Sequence, residues 1–147
     1  MKIFVVDASV AAKWFLEEEH TAAALRLLEV ADFLHAPELF WLELDHVLCK
    51  KVRRGELTQE LGEEIRQALD QFPIQKFPSD WLRDLAFTIA GVTGRALYDC
   101  LYLALAVLLG VPLVTADHKL YNAMVPGPLA PYLCWVEDIE TTTGSGR

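Results

Sequence analysis

The chain has 147 residues, 53% of them hydrophobic, with a mean hydropathy of +0.24, which is the size and apolar content of one domain with a real core. A net charge of -8 and an isoelectric point near 4.9 exclude a broad basic surface for nucleic acid. Nucleic acid then has to be met through a local site, or through metal ions that reverse the local sign.

Residues 3–6, Ile-Phe-Val-Val, form an unbroken β-branched apolar run, expected as a buried parallel strand. Asp7 follows it at once. Ser9 is placed to cap a helix over 10–18, and a second amphipathic helix is expected over 20–31. After a brief strand at 33–36, Pro37 suits the first turn of a third helix, 38–54, stopped by Gly55. Thr58 caps a fourth helix to about 71, residues 74–77 read as a proline-bounded edge strand, and Ser79 caps a fifth helix to about 92. Toward the end come a short helix at 118–124, the loop PGPLAP and a last strand at 132–136. There is no repeat or linker, so 1–139 is expected to be a single domain and 140–147 a disordered tail.

The stretch at 97–117, LYDCLYLALAVLLGVPLVTAD, organises the rest. From Tyr98 to Leu109 only Asp99 is charged, and a helix apolar all round is a buried helix. Gly110 sits where a C-cap glycine belongs, and Pro112 forbids continuation. A short buried strand over 112–115 follows. Ten residues of helix from Asp99 descend about 15 Å, and five residues of strand to Asp117 climb back about 16 Å. Both carboxylates are therefore expected at one end of the molecule.

Strands alternating with helices imply an α/β fold around a central parallel sheet of four to five strands, with right-handed crossovers. Ligands of such sheets bind beyond the carboxyl ends of the strands, at the switch point. Asp7 and Asp117 directly follow strands, and Asp99 opens a helix that starts from the same edge. Glu43, flanked by Leu39, Leu42 and Val47 in the third helix, is poorly placed to be simply solvated. Asp7, Glu43, Asp99 and Asp117 then form an all-oxygen set, which suits Mg²⁺ or Mn²⁺ rather than zinc. Ser9 and Thr115, each two residues from an aspartate, are candidates to orient a ligand or a water. Each residue also has a plainer role open to it: Asp7 as a turn residue, Glu43 as a lysine partner, Asp117 and Ser9 as helix caps.

VVDASV near the start, PELFWLE at the start of the third helix, YDCLYLALA and LVTAD together resemble the PIN-domain pattern of the VapC-type toxins of bacterial and archaeal toxin–antitoxin pairs. The resemblance runs from Ile3 to about Leu120. It implies a PIN-like three-layer α/β/α fold, with the four acidic metal ligands on Asp7, Glu43, Asp99 and Asp117 and the small polar auxiliaries on Ser9 and Thr115. It further implies a Mg²⁺- or Mn²⁺-dependent endoribonuclease acting on structured RNA such as tRNA or rRNA, a homodimer, and a small inhibitory antitoxin. The chain departs from the pattern at His46, where asparagine is frequent, at Cys100, where alanine is usual, and at Val107, where glutamate is frequent; none of these is a ligand position.

Lys50, Lys51, Arg53 and Arg54 lie about 16 Å along the helix from Glu43, and they suit its C-terminus. Lys13, Arg95, His118 and Lys119 are closer by sequence to the acidic edge and are the candidates for RNA phosphate contact. The expected chemistry is hydrolysis of an RNA phosphodiester by metal-activated water. The alternative is a non-catalytic PIN module that only binds protein or RNA. Cys49, Cys100 and Cys134 have no CxxC spacing and are expected as buried, reduced thiols. With no signal peptide pattern and an uncharged run at 100–114 shorter than a bilayer span, a cytoplasmic protein with no membrane contact is expected.

Overall fold

The computed structural model describes residues 1–140; the expected tail, Glu140 apart, lies outside the described residues. Five strands, β1 (Ile3–Val6), β2 (Phe33–Pro37), β3 (Ile74–Phe77), β4 (Leu113–Thr115) and β5 (Leu133–Trp135), form one sheet in the order β3-β2-β1-β4-β5. Every neighbouring pair is parallel. The helices are α1 (Ala8–Phe15), α2 (Thr21–Val30), α3 (Leu39–Arg53), α4 (Gln59–Asp70), α5 (Arg83–Thr93), α6 (Leu97–Leu109) and α7 (His118–Met124).

From β1 the chain steps outward to β2 and β3, then returns across the sheet to β4 and steps the other way to β5. Right-handed crossovers put α1 to α4 on one face and α5 to α7 on the other. The packing agrees: α1 rests on α2 and α3, α3 on α4, and α5 on α6, which spans β2, β1 and β4. This is the expected three-layer α/β/α sandwich. The connections diverge between β1 and β4, so the switch point lies at the ends of those two strands.

The core forms because these strands are apolar on both faces. Val5, Val6, Leu113 and Val114 are fully buried, as are Leu103, Ala104, Leu105 and Ala106 of α6. The ends of α6 are not: Tyr98 is 61% and Leu108 54% exposed, because the helix outruns the sheet it covers. Gly110 takes the left-handed conformation, φ 68°, and its N–H bonds the last turn.

Four local expectations need correction. Asp7, not Ser9, caps α1: its carboxylate accepts the Ser9 N–H at 3.0 Å, and the helix begins at Ala8. Pro37 ends β2 rather than opening α3, which keeps its fixed φ in extended backbone. Ser79 opens a single 3₁₀ turn, Ser79–Trp81, instead of α5; its N–H is taken by the Glu38 carboxylate at 2.7 Å. Cys49 is exposed, in an open cleft between α3 and α4, whereas Cys100 is buried and Cys134 half-buried. Among the described residues no single helix is long and apolar enough to cross a membrane.

Candidate active site

Asp7 lies at the centre of the acidic edge. It leaves β1 in extended backbone, is only 9% exposed, and has both carboxylate oxygens engaged. Oδ1 accepts the Ser9 N–H, and Oδ2 accepts the Thr115 hydroxyl at 2.7 Å. Thr115, fully buried at the end of β4, also accepts the Asp117 N–H at 3.1 Å. Ser9 Oγ accepts the Ala116 N–H at 3.1 Å. The turns after β1 and β4 are thereby clamped together across the switch point. Asp117 caps α7, its Oδ1 accepting the N–H groups of Lys119 and Leu120. Capping uses one oxygen and leaves Oδ2 outside those bonds.

The other two acids come from helices. Asp99 stands in the first turn of α6, where the helix dipole favours its charge. Its Oδ2 pairs with the Arg95 guanidinium at 3.1 Å, with the two side chains 30% and 28% exposed. Glu43 lies one turn into α3, and its Oε1 accepts the Tyr102 hydroxyl at 2.6 Å. Tyr102 is 3% exposed and follows Asp99 by three residues, on the same side of α6. Sequence reading missed Tyr102, although a tyrosine inside an all-apolar helix was a usable signal, because a buried phenol needs a polar partner.

Charge ties the four together. Burial raises the Asp7 carboxyl above its ordinary range; the Thr115 and Ser9 hydrogen bonds pull it down, and the charges of Asp117 and Asp99 push it up again. Burial likewise raises Glu43, against the Tyr102 hydrogen bond and with the charges of Asp7 and Asp99. Desolvation first, then Asp7 and Glu43, drive Tyr102 well above the usual phenol range. Two buried carboxylates raised partly by the charges of neighbouring acids are an electrostatic sink for a cation. The donor set, all carboxylate oxygen, fits a hard divalent ion. Its side chains are not gathered around one point: among the described residues no three His, Cys, Asp or Glu stand together as a chelating group. Asp99 is held instead by Arg95, and Glu43 by Tyr102.

The basic candidates divide. Arg95 is at the site through Asp99, and its Nε is buried with no partner among the described residues. Lys13 is turned away to Glu18 at 3.2 Å. His118 and Lys119 are exposed at the start of α7, beside Asp117. Lys51, at the far end of α3, bonds Glu18 and Glu56.

The chain is similar to known proteins both in sequence and in fold. The PIN domain family matches residues 4–124. Ribonuclease VapC3 of Pyrobaculum aerophilum is 33% identical over 120 residues, covering 79% of this chain and 90% of that protein. Ribonuclease VapC1 of Mycobacterium tuberculosis is 35% identical over 127 residues, covering 84% and 90%. The chain therefore belongs to the PIN-domain family, in its VapC branch. Solved structures share the fold: PAE2754 from Pyrobaculum aerophilum has a TM-score of 0.69 at 22% identity, over 92% of this chain and 85% of that one. A toxin–antitoxin complex from Klebsiella pneumoniae gives 0.64 at 17% identity, over 95% and 100%.

Proposed function

We propose that the protein is a divalent-metal-dependent endoribonuclease, the toxin of a toxin–antitoxin pair, acting in the cytoplasm. The observation that carries this is the buried Asp7 carboxylate at the β1/β4 switch point, clamped by Thr115 and Ser9 and within reach of the charges of Asp99 and Asp117, with Glu43 in turn within reach of Asp7 and Asp99. The ribonuclease names of the VapC relatives support the same reading. These four carboxylates are the residues that would hold Mg²⁺ or Mn²⁺. Bound there, such an ion would supply a lowered water pKa and relief of the charge that builds on phosphate during hydrolysis.

The chain's own residues prepare that chemistry. Thr115 and the Ser9 N–H fix both oxygens of Asp7, so its orientation is set before substrate arrives. Ser9 Oγ and Thr115 hold the backbone that leads into Asp117. Tyr102 orients Glu43. Arg95 neutralises Asp99 and stands ready to meet a phosphate, for which a guanidinium is well shaped.

The antitoxin partner is supported by the Klebsiella pneumoniae complex and by VapBC2 of Rickettsia felis, which shares the fold with a TM-score of 0.61 at 14% identity over 90% of this chain and 98% of that one. A homodimer is supported by an exposed apolar face on the α5/α6 side. Phe87 is 75%, Tyr98 61% and Leu97 45% exposed, around a groove of about 580 Å³, more than isolated surface residues would explain.

The test is cleavage of labelled tRNA and rRNA by the wild type, Asp7→Asn and Asp99→Asn, each with Mg²⁺, with Mn²⁺ or with chelator. Cleavage by the wild type alone, and only with metal, is expected. Cleavage that survives both substitutions, or that ignores chelator, overturns the assignment. Metal binding followed by calorimetry separates a nuclease from a module that only binds.

A further inference from the structure

One cluster at the same sheet edge is not used by the acidic site. Trp135 ends β5 in register with Thr115, the residue that bonds Asp7. It therefore lies about 5 Å, one strand, from the clamp. On it rests the His118 ring, with centroids 4.2 Å apart and planes 32° apart. Trp135 is half-buried while His118 is exposed and follows Asp117 directly, so the indole forms the floor and the imidazole the outer layer.

The floor is braced from two sides. Tyr121 leans on Trp135 at 5.7 Å. His20 meets it edge-on at 5.4 Å and reaches the His118 ring at 6.1 Å. The His20 ring is fixed in turn by Glu137 at 2.7 Å, which Arg26 also approaches. Among the described residues His20 is the one non-glycine with positive φ, 70°. A side chain held in left-handed backbone is strained and persists where its surroundings demand that position. Here the position is the buttress of Trp135.

We propose that the His118 ring, seated on Trp135, is a stacking platform for an unpaired base of the RNA, next to the phosphate handled by the acidic edge. This rests on the ribonuclease reading and adds a subsite to it. A rigid aromatic ring beside a cleavage centre meets the π-face of any base, so the platform binds single-stranded or splayed nucleotides without reading sequence. It makes His118 useful for its ring, where sequence alone suggested its charge. Lys119, exposed beside it, supplies charge for the neighbouring phosphate.

A short single-stranded RNA carrying one 2-aminopurine tests this, because stacking on an aromatic ring quenches that base. Protein bearing Asp99→Asn keeps the RNA intact during titration with Mg²⁺ present. Quenching is expected with His118 and with His118→Phe, which keeps a ring and drops the charge. His118→Lys and His118→Ala are expected to lose the quench and to bind roughly tenfold more weakly. Binding and quenching that persist in the lysine variant but fail in the phenylalanine variant overturn the platform in favour of a charge contact. Unchanged behaviour in all three variants, or no RNA binding at all, also overturns it. Cleavage by the otherwise wild-type chain is scored separately: cleavage without quenching removes the platform and leaves the nuclease, and quenching without cleavage does the reverse.

Discussion

The four acids fall into two pairs that the fold holds in different ways. Asp7 and Asp117 sit at strand ends, their carboxylates gripped by backbone N–H groups and both residues bonded to the hydroxyl of Thr115. Asp99 and Glu43 sit on helices and are held by single side chains, Arg95 and Tyr102. Asp7 cannot move without breaking the junction of β1 and β4, nor Asp117 without uncapping α7. The second pair moves when one rotamer changes. Placement is thus rigid where the sheet supplies it and adjustable where helices supply it, which suits a site that exchanges one cation for another.

The largest effect should come from the rigid pair. Asp7→Asn is expected to abolish metal-dependent RNA cleavage while leaving the fold intact. Because the folded carboxyl is raised above its ordinary 3.8, Asp7 favours the native state while protonated, below about the unfolded value. That contribution is lost as pH rises through the folded value. At pH 7 the ionised group therefore opposes folding, and the asparagine variant should melt no lower than wild type. Thermal melts from pH 3 to pH 8 check this: the advantage of the variant should shrink toward acid, and a variant that is less stable at pH 7 would break the account of Asp7 as a strained charge.

Thr115→Val removes the hydroxyl that serves Asp7 and Asp117 together. It should lower stability by about 1–3 kcal/mol, the cost of leaving buried polar groups unpaired, as read by chemical denaturation. A loss well below this would make the strand-end clamp no firmer than the helix pair. Tyr102→Phe touches only the adjustable pair. It should keep the fold and weaken Mn²⁺ binding about tenfold, the usual effect of losing a partner of a ligand. Since the Tyr102 hydrogen bond lowers the Glu43 carboxyl, the acid limb of the cleavage profile should also move to higher pH. Arg95→Met should have the smallest effect on stability, under ~1 kcal/mol, because its pair with Asp99 is partly exposed. Tighter Mg²⁺ binding in that variant would show that Arg95 competes with the metal for Asp99.

Much of the scaffold was legible along the chain. The β-branched run before Asp7, the all-apolar helix ended by Gly110 and the short return to Asp117 each declare their element by local chemistry. Their lengths alone brought Asp99 and Asp117 to one edge. What misled was local too: Ser9 looks like a cap, but Asp7 reaches the Ser9 N–H first and frees the hydroxyl for Ala116, 107 residues away in sequence. Tyr102 and Glu43, 59 apart, could not be paired by any periodicity.

Periodicity, turn residues and element lengths determined which segments are strands and helices and which acids share an edge, because those depend on neighbours within a few residues. The order of strands, the clamp between β1 and β4, the partners of each carboxylate and the His118–Trp135 stack were decided only by tertiary packing. They arise from groups distant in sequence that meet once the sheet has closed, and buried polar atoms then take whichever partner lies within reach.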